Sequence, residues 1–554
     1  MRRWALRHPR WTIVALAALI FGSALGQRYP WHIDEVRFVG VALEMLQSGQ
    51  WWVPHRAGEI YADKPPIFFW ALGALFKLTG SVRWSFLLPA MLSGIATLLL
   101  VYDLAARLWN RRTGLCAAIL LLACYQFWRL ATYAHIDGFL LLWTTLGLYG
   151  FVRHLLSGRD IVWFYGGFVA IAIGILSKGV GFLPLLIFIP YAVLRKRAAL
   201  PSALSTRQWL SGIALLLGLL LCWLLPLVAL AHSDPEIKNY LNEILFHQTA
   251  NRYTKAWQHR EPVWFFLQEI PKYWAPLSIL LPWIAPLWWR RLRRLDPRYV
   301  LLLGWAALVL LFFSLSSGKR ELYMLPALPA VAIAAAPAVL LLLRQRWLQR
   351  VTVGASCLLI VSIAGAGIIR LRNALPQSPL ADWPPNTAYV LLAAALAAMI
   401  IFILLRRQSP ALRWLAVYAV IIIFYNRGLL PLTDDRESGR AAMAVLSERA
   451  PNGLALIDWD EREWLFARTT ILHNGIRSKP ELNICSLAAP ATQWLLPLEM
   501  ARRAALPLES AISVQPNDVF VVATAPIAAS HCFAADAFRF QFQWSDTSLQ
   551  RLDR

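Results

Sequence analysis

The sequence is poor in acidic residues and in cysteine, and it lacks the short motifs of several common enzyme classes. It has 31 Asp and Glu against 54 Lys and Arg, and 6 cysteines in 554 residues. It contains no P-loop, dinucleotide-binding glycine fingerprint, Cys-x-x-Cys pair or His-Glu-x-x-His sequence. These absences argue against an ATP-driven pump, a dehydrogenase and a common zinc hydrolase.

Apolar residues are abundant instead. They make up 58% of the chain, which has 27 Trp and a mean hydropathy of +0.51, so the composition is that of a polytopic membrane protein. The net charge of +23 comes from basic residues scattered between apolar runs. This pattern favours membrane orientation and anionic lipid over nucleic acid.

Apolar segments of about 20 residues, enough to cross a bilayer, predict about thirteen spans. The first is too long for a signal peptide and lacks a small-residue cleavage site, so we expect a retained anchor. The segments are centred near residues 19, 95, 121, 146, 169, 187, 220, 280, 308, 333, 360, 396 and 420.

Basic residues alternate between the connecting loops, which predicts the orientation because cytoplasmic loops are rich in Lys and Arg. An odd number of spans then puts the Asp34 loop and the C-terminal region on the opposite, periplasmic side. The cytoplasmic groups are Arg2 to Arg10, Arg107 to Arg112, Arg153 and Arg159, Arg195 to Arg207, Arg290 to Arg298, Arg344 to Arg350, and Arg406 to Arg413.

The first periplasmic loop is predicted to carry two helices that lie along the membrane, over residues 33 to 80. Val36, Val39, Leu43 and Leu46 recur at helical spacing, as in an amphipathic interfacial helix. The apolar run from 67 to 78 is too short to span. The basic residues of the periplasmic loops are not needed to set the orientation of the chain in the membrane. Either some of them snorkel to lipid headgroups, or together they form a phosphate-binding site.

The hydropathy falls after residue 430, which predicts a transmembrane domain over 1–429 and a soluble α/β domain over 430–554. "SGRAAMAVLSERA" indicates a helix, "GLALID" and "DVFVVATA" indicate buried strands, and Phe538, Phe540, Phe542 and Trp544 alternate as in a half-buried strand. Cys485 and Cys532 lie in this region, where an oxidising periplasm would allow a disulfide.

The first loop carries a resemblance. "DEVRFVGVALEMLQSGQWWVPHRAGEIYADKPPIFFW" has an acidic pair, an Arg, a Ser-Gly-x-Trp and a Lys-Pro, and so resembles the 4-amino-4-deoxy-L-arabinose lipid A transferase family of GT-C membrane glycosyltransferases. "HIDG" at 135 to 138, "SKG" at 177 to 179, the Arg252 loop and "SSGKRELYMLP" extend the resemblance over roughly the first 430 residues. Asp63 stands where the family has a longer Glu.

The resemblance implies a multi-pass enzyme of the bacterial inner membrane with a periplasmic active site. It would move aminoarabinose from undecaprenyl phosphate to lipid A phosphates, making lipid A less negative and weakening polymyxin binding. A polyprenyl-phosphate-sugar transferase with a protein or cell-wall acceptor is the alternative. A lipid flippase or secondary transporter fits less well, because its charges would lie near the membrane midplane.

The chemistry then suggests roles for charged residues of the periplasmic face. Asp34, Asp137 and Arg37 are the catalytic candidates. Carboxylates stabilise an oxocarbenium-like sugar, and Arg37 would either assist at the donor phosphate or hold Asp34 in place. The candidates for binding the donor phosphate or the sugar are Lys64, Arg252, Tyr323, Lys319 and Glu35.

Several of these residues have alternative interpretations. Arg37 could form a salt bridge to Asp34 or Glu44, Asp137 could cap its helix, and Glu35 could face water or pair with an arginine. An acid should also meet the cationic sugar amine, and Asp34, Asp137 and Asp63 are eligible.

No metal is required on the sequence evidence. A divalent ion such as zinc on Asp63, His247 and His259 is an alternative, although their spacing matches no recognised ligand motif.

Overall fold

The structure is a computed structural model of the whole chain. It describes residues 6–156, 158, 160–197, 205–245, 261–372, 383–449, 454–456, 461–473, 493–497, 510–515, 518–524 and 540–553. Cys485 and Cys532, the predicted disulfide, lie outside these residues, as do Arg252, His247 and His259.

Helices dominate the first 449 residues. A 3-10 segment, Gly179–Ile187, lies shortly after the helix Ile161–Ser177, and another, Glu321–Met324, precedes the helix Ala327–Leu342. A π-helical turn over Tyr425–Leu429 joins the helices Pro410–Phe424 and Leu430–Ser438. The α-helices are α1 Pro9–Gly22, α2 Ile33–Ser48, α3 Ile67–Thr79, α4 Val82–Ser85, α5 Leu88–Leu108, α6 Arg111–Ala123, α7 Tyr125–Ala131, α8 Ile136–Leu156, α9 Ile161–Ser177, α10 Phe188–Arg197, α11 Thr206–Ala231, α12 Pro235–Asn242, α13 Phe265–Tyr273, α14 Leu277–Arg293, α15 Pro297–Leu315, α16 Ala327–Leu342, α17 Arg346–Arg372, α18 Thr387–Leu404, α19 Pro410–Phe424, α20 Leu430–Ser438 and α21 Arg440–Arg449.

The apolar helices match the predicted spans in position. All thirteen predicted centres fall inside helices of the structure. Among the described residues, 8 helices are long and apolar enough to cross a membrane, or up to 9 if the bent pair α6 and α7 is one span. The shorter apolar helices include α1, α9 and α16. The chain is therefore a multi-pass helical membrane protein.

The two helices predicted in the first loop are present, but α2 is not an open amphipathic helix. Val36, Val39 and Leu43 are buried, and so are Phe38 and Val41 between them. The prediction failed because α2 packs against α3 on one side and against α22, Glu461–Phe466 from the C-terminal region, on another. A helix covered on several sides needs apolar residues around most of its circumference.

The predicted helix and strands of the C-terminal region are confirmed. The helix is α21. A short hairpin in the first loop consists of β1 His55–Arg56 and β2 Glu59–Ile60. The C-terminal strands are β3 Leu454–Leu456, β4 Ile471–His473, β5 Gln493–Pro497, β6 Ser510–Gln515, β7 Asp518–Thr524 and β8 Phe540–Phe542. They form a six-stranded mixed sheet of order β6-β7-β5-β3-β4-β8, in which β3 pairs in parallel with β4 and β5 and the other pairs are antiparallel.

The C-terminal region docks directly onto α2. The ring of Trp464 is fully buried and covers Gly40 so closely that a Cβ built on Gly40 would lie 2.5 Å from it. At the end of α2, the Gln47 side chain donates to the Gln543 carbonyl and accepts from the Ser545 amide. A glycine at position 40 is therefore required for this contact.

Replacing Gly40 with Ala should loosen the docking, because a rigid buried indole has no room to move away. We expect a destabilisation of about 1 to 3 kcal/mol, the usual range for overpacking, seen as a lower unfolding temperature of the purified protein in detergent. Gly218→Ala is the matched control, since Gly218 also lies within a helix but has no atom within 4 Å of its built Cβ. Equal unfolding temperatures for Gly40→Ala and the control would show that the Trp464 contact is dispensable.

Candidate active site

Asp34 lies in the first turn of α2, where the positive end of the helix dipole favours a carboxylate. Its Oδ2 is 3.1 Å from Nε2 of His135 and 3.2 Å from Nη2 of Arg320. Its Oδ1 accepts from Nη1 of Arg37, one helical turn further on, at 3.3 Å. Three cationic or titratable side chains thus surround a single carboxylate.

The network continues from His135 to a second carboxylate. Nδ1 of His135 is 3.0 Å from Oδ2 of Asp137, and Nζ of Lys178 donates to both Asp137 oxygens at 2.7 and 2.9 Å. Nζ of Lys178 also lies 4.8 Å above the ring of Tyr323. We call these six side chains the Asp34 cluster: Asp34, Arg37, His135, Asp137, Lys178 and Arg320.

The cluster is assembled by four separate segments. Asp34 and Arg37 come from α2, whereas His135 and Asp137 stand at the start of α8. Lys178 follows α9 in extended conformation, and Arg320 is extended just before the 3-10 turn Glu321–Met324. Each side chain therefore sits at a helix end or in a connection, where polar groups can gather at one end of an apolar bundle.

Exposure distinguishes the two acids. The Asp34 side chain is 17% exposed, whereas Asp137 is 5% exposed and His135 3%. Of these two acids, Asp34 is therefore the one that a ligand can reach directly. Asp137 is buried and contacts His135 and Lys178, so it orients both side chains.

The surrounding charges keep the cluster ionised. Burial alone would raise the pKa of Asp34, but the hydrogen bond and charge of His135, with Arg320 and Arg37, outweigh it and lower the pKa well below its usual range. Burial likewise opposes the charged form of His135, yet its bonds to Asp137 and Asp34 raise its pKa above the ordinary value. The cluster thus presents an ionised carboxylate among cations.

Arg37 is held by the C-terminal region as well as by Asp34. Its Nε donates to Oε1 of Glu461 at 2.6 Å, and Nη1 of Arg56 lies 3.5 Å from the same oxygen. The Glu461 side chain is 1% exposed. The predicted pair between Arg37 and Asp34 is therefore present, while the alternative partner Glu44 instead accepts the amides of Ala57 and Gly58.

Glu35 does not face the cluster, which corrects its prediction as a substrate-binding residue. Its carboxylate is 0% exposed and takes two hydrogen bonds from Arg28, at 2.5 and 2.6 Å, and one from the Ala134 amide at 2.9 Å. The pairing with an arginine, our alternative, is what the structure has. Consecutive helix positions point about 100° apart, so Asp34 and Glu35 serve different neighbours.

Lys319 is also turned away from the cluster, and its predicted contact with substrate is not supported. Its Nζ donates to the carbonyls of Glu261 and Ser316 at 2.7 and 2.6 Å, and the residue is 4% exposed. Adjacent residues of an extended segment point to opposite sides, so Arg320 reaches Asp34 instead. Of these two neighbours, Arg320 and not the predicted Lys319 contacts Asp34.

The remaining predicted residues lie in the first loop. Nζ of Lys64 donates to the carbonyl of Asp63 at 2.9 Å, just before α3. Burial, and then the charge of Asp63, raises the pKa of the nearby Tyr61. The guanidinium of Arg56 lies 5.5 Å from the centroid of the Tyr61 ring and shares Oε1 of Glu461 with Arg37, so this loop lies beside the cluster. In the part of the chain that the structure describes, no group of three His, Cys, Asp or Glu is arranged to hold a metal.

Sequence reasoning did not select His135, Lys178, Arg320 and Glu461 as site residues. The motifs "HIDG" and "SKG" contain the first two, and the pairing of Asp137 with a residue of "SKG" could have been proposed from them. Arg320 stands beside a chosen residue. Glu461 had no local signal, because it lies more than 400 positions from Arg37 and only the fold brings them together.

Comparison with known proteins agrees with this fold. Residues 63–225 match the family described as dolichyl-phosphate-mannose-protein mannosyltransferase. The crystal structure of ArnT from Cupriavidus metallidurans bound to undecaprenyl phosphate superposes with a TM-score of 0.72 at 20% identity, covering 94% of this chain and 98% of that one. The fold is therefore that of the GT-C class of membrane glycosyltransferases.

Two curated relatives resolve the family within that class. The undecaprenyl phosphate-alpha-4-amino-4-deoxy-L-arabinose arabinosyl transferase of Pectobacterium carotovorum is 30% identical, over 67% of each chain. The corresponding transferase 1 of Pseudomonas fluorescens is 29% identical over 75% of this chain and 73% of the relative. This chain belongs to the family of undecaprenyl phosphate-aminoarabinose arabinosyl transferases.

His135 should make stability fall as the pH rises above the ordinary pKa of a histidine. Because its pKa is raised on folding, its contribution is fully present below about pH 6.5, the ordinary value, and is lost as the pH rises through the folded-state pKa. We expect the unfolding temperature of wild type to fall over this range, and the fall to be smaller in His135→Gln. Exposed His232→Gln should keep the wild-type slope. Identical slopes in all three proteins would contradict a protonated His135.

Proposed function

We propose that this chain transfers 4-amino-4-deoxy-L-arabinose from undecaprenyl phosphate to a phosphate group of lipid A. Membership of the arabinosyl transferase family supports the donor and the sugar, and the acceptor fits that family. The observation that carries the proposal is the Asp34 cluster, in which one accessible carboxylate is surrounded by Arg37, Arg320 and His135.

The reaction needs both kinds of charge. The bond between the anomeric carbon and the donor phosphate oxygen breaks, the electron pair leaves with undecaprenyl phosphate, and an acceptor phosphate oxygen forms the new bond. An ionised Asp34 stabilises positive charge on the sugar. Because an acceptor phosphate is already ionised, Asp34 orients and stabilises rather than removing a proton.

The cations of the cluster have the complementary task. Arg37 and Arg320 have side chains 20% and 32% exposed, so both can meet phosphate oxygens, and guanidinium groups suit this chemistry. We assign Lys64 and Arg252 to the donor phosphate, with Tyr323 beside Lys178 as a further hydrogen-bond donor. Asp137 is a positioning residue, since it touches His135 and Lys178.

We propose that the cationic sugar amine pairs with Asp34 or with Asp63 of the first loop. These two eligible acids are partly exposed, whereas Asp137 is buried. We further propose that no metal is required, because the Asp34 cluster already supplies fixed cations for the leaving phosphate. A divalent ion on Asp63, His247 and His259 remains the alternative, and dialysis against a chelator followed by an activity measurement distinguishes the two.

We propose thirteen spans, with the Asp34 cluster and residues 430–554 on the periplasmic side of the inner membrane. The grouping of basic residues supports this arrangement: Arg10 and Arg107 both pair with Asp103 at the far end of α5, and Arg298 donates to the Leu108 carbonyl. The basic loops thus meet at one end of the bundle, and the Asp34 cluster lies at the other. The C-terminal α/β region would then be a periplasmic domain.

A transferase with a protein or cell-wall acceptor is the second candidate. The match of residues 63–225 to a protein mannosyltransferase family favours it. Both candidates share the donor chemistry of the Asp34 cluster and differ in the acceptor.

Asp34→Asn should reduce transfer by about a hundredfold or more, the range for a positioned electrostatic group. The change keeps the size of the side chain and removes its charge. Mass spectrometry of lipid A from cells with and without the chain measures the added aminopentose, and the variant is compared at matched protein level.

Glu59→Gln is the control in the same loop, because Glu59 is 34% exposed and its partner Arg56 is 3.4 Å away. It should transfer at close to the wild-type rate. Comparable transfer by Asp34→Asn would make the acid structural. Unmodified lipid A together with altered periplasmic protein glycans would move the assignment to the second candidate.

Cysteine labelling in intact cells checks the orientation. Single cysteines placed at partly exposed Glu59 and at exposed Arg294 should react from opposite sides of the membrane, the first with an impermeant maleimide added outside and the second only after permeabilisation. Labelling of both from the outside would contradict the proposed topology.

A further inference from the structure

A second charged site lies at the opposite end of the bundle from the Asp34 cluster. Four arginines, Arg107, Arg291, Arg294 and Arg298, line a cavity of about 750 Å³ together with Asp296. None of these residues contributes to the reaction proposed above. We call this cavity the arginine pocket.

The arginine pocket is about one membrane thickness from the active site. α8 carries Asp137 in its first turn and ends at Leu156, which lines the pocket. The helix has 21 residues and is therefore about 30 Å long, close to the thickness of a hydrocarbon core. The pocket thus faces the other leaflet and cannot hold the donor or acceptor phosphate during transfer.

The charge inside the pocket is not balanced. Arg298 forms two hydrogen bonds to Asp296, at 3.0 and 2.9 Å, and Arg291 lies 3.8 Å from the same carboxylate. Arg107 pairs with Asp103, outside the pocket. Arg294 has no ion pair within the described ranges. The four guanidinium groups therefore have two carboxylates between them, Asp296 and Asp103, and Asp103 also pairs with Arg10, so an anion would restore the balance.

The backbone at this site is also unusual. Leu295, between Arg294 and Asp296, has φ 50, a left-handed conformation that costs a non-glycine residue about 1 to 2 kcal/mol. It turns the chain from α14 into α15, so that Arg291 and Arg298, one on each helix, reach the same carboxylate. Strain of this kind is kept where a fixed geometry is needed.

The surroundings indicate a lipid rather than a soluble anion. Arg293, next to Arg294, stacks over Trp289, which is 58% exposed, and Arg298 stacks over Trp109. Exposed tryptophans mark the level of lipid headgroups. Leu108, Leu156 and Pro297 add an apolar wall to the pocket, which suits the glycerol and upper acyl carbons of a phospholipid.

We propose that the arginine pocket binds the phosphate headgroup of an anionic phospholipid in the leaflet opposite the active site. The lipid joins the ends of α5 and α8 to the turn between α14 and α15. This proposal does not depend on the sugar, the acceptor or the reaction.

The test is native mass spectrometry of the full chain in detergent, titrated with phosphatidylglycerol. Wild type should bind one phosphatidylglycerol more tightly than phosphatidylcholine. Arg294→Gln should weaken phosphatidylglycerol binding about fivefold, as expected for one arginine near an anionic headgroup. Arg294→Lys keeps the charge and should retain most of the binding. Arg350→Gln removes an exposed arginine outside the pocket and should bind as wild type does.

Two results would overturn the proposal. Equal phosphatidylglycerol binding by wild type and Arg294→Gln, with both proteins folded by thermal unfolding, would remove the pocket as the site. Full competition by millimolar inorganic phosphate, without retained phospholipid, would assign the pocket to a soluble phosphate. Lipid A modification by Arg294→Gln is measured in parallel, so that failure of the lipid proposal is distinguished from failure of the proposed reaction.

Discussion

The buried ion pair between Arg28 and Glu35 sets the geometry on which the Asp34 cluster depends. Glu35 bonds Arg28 through both oxygens and also accepts the Ala134 amide, next to His135. This fixes the rotation of α2, and Asp34, about 100° away around the helix, is thereby directed toward His135. Removing one partner would leave a buried charge uncompensated, which costs about 3 to 5 kcal/mol, so the site geometry would be lost together with stability.

Much of the fold could be predicted because hydropathy is a local property. Each of the thirteen apolar runs predicted to span the membrane is centred in a helix of the structure, and the strands around "DVFVVATA" follow from alternation and β-branched content. The burial of α2 could not be predicted in this way, because Trp464, which covers Gly40, comes from the other end of the chain. A helical pattern reports which faces are apolar and not what will cover them.

The Asp34 cluster was predictable to the level of the segment but not of the side chain. Asp34, Arg37 and Asp137 were selected because an acid in an apolar sequence is costly unless it is used or paired. The choice between neighbours failed at Lys319 and Arg320 and at Glu35, because a rotation of one residue decides which side chain faces the site. Contacts such as His135 to Asp34 depend on how two helix ends meet, which no local pattern encodes.

The same reasoning explains why the C-terminal region matters for the site. Glu461 is buried, its Oε1 binds both Arg37 and Arg56, and its Oε2 has no hydrogen-bond partner among the described residues. A carboxylate held in this way is stable only while both arginines neutralise it. Arg37 thus pairs with both Glu461 and Asp34. The electrostatic potential at Asp34 therefore depends on whether the C-terminal region is docked on α2. The region is therefore part of the electrostatics of the site, and the docking of Trp464 on Gly40 keeps Glu461 in place.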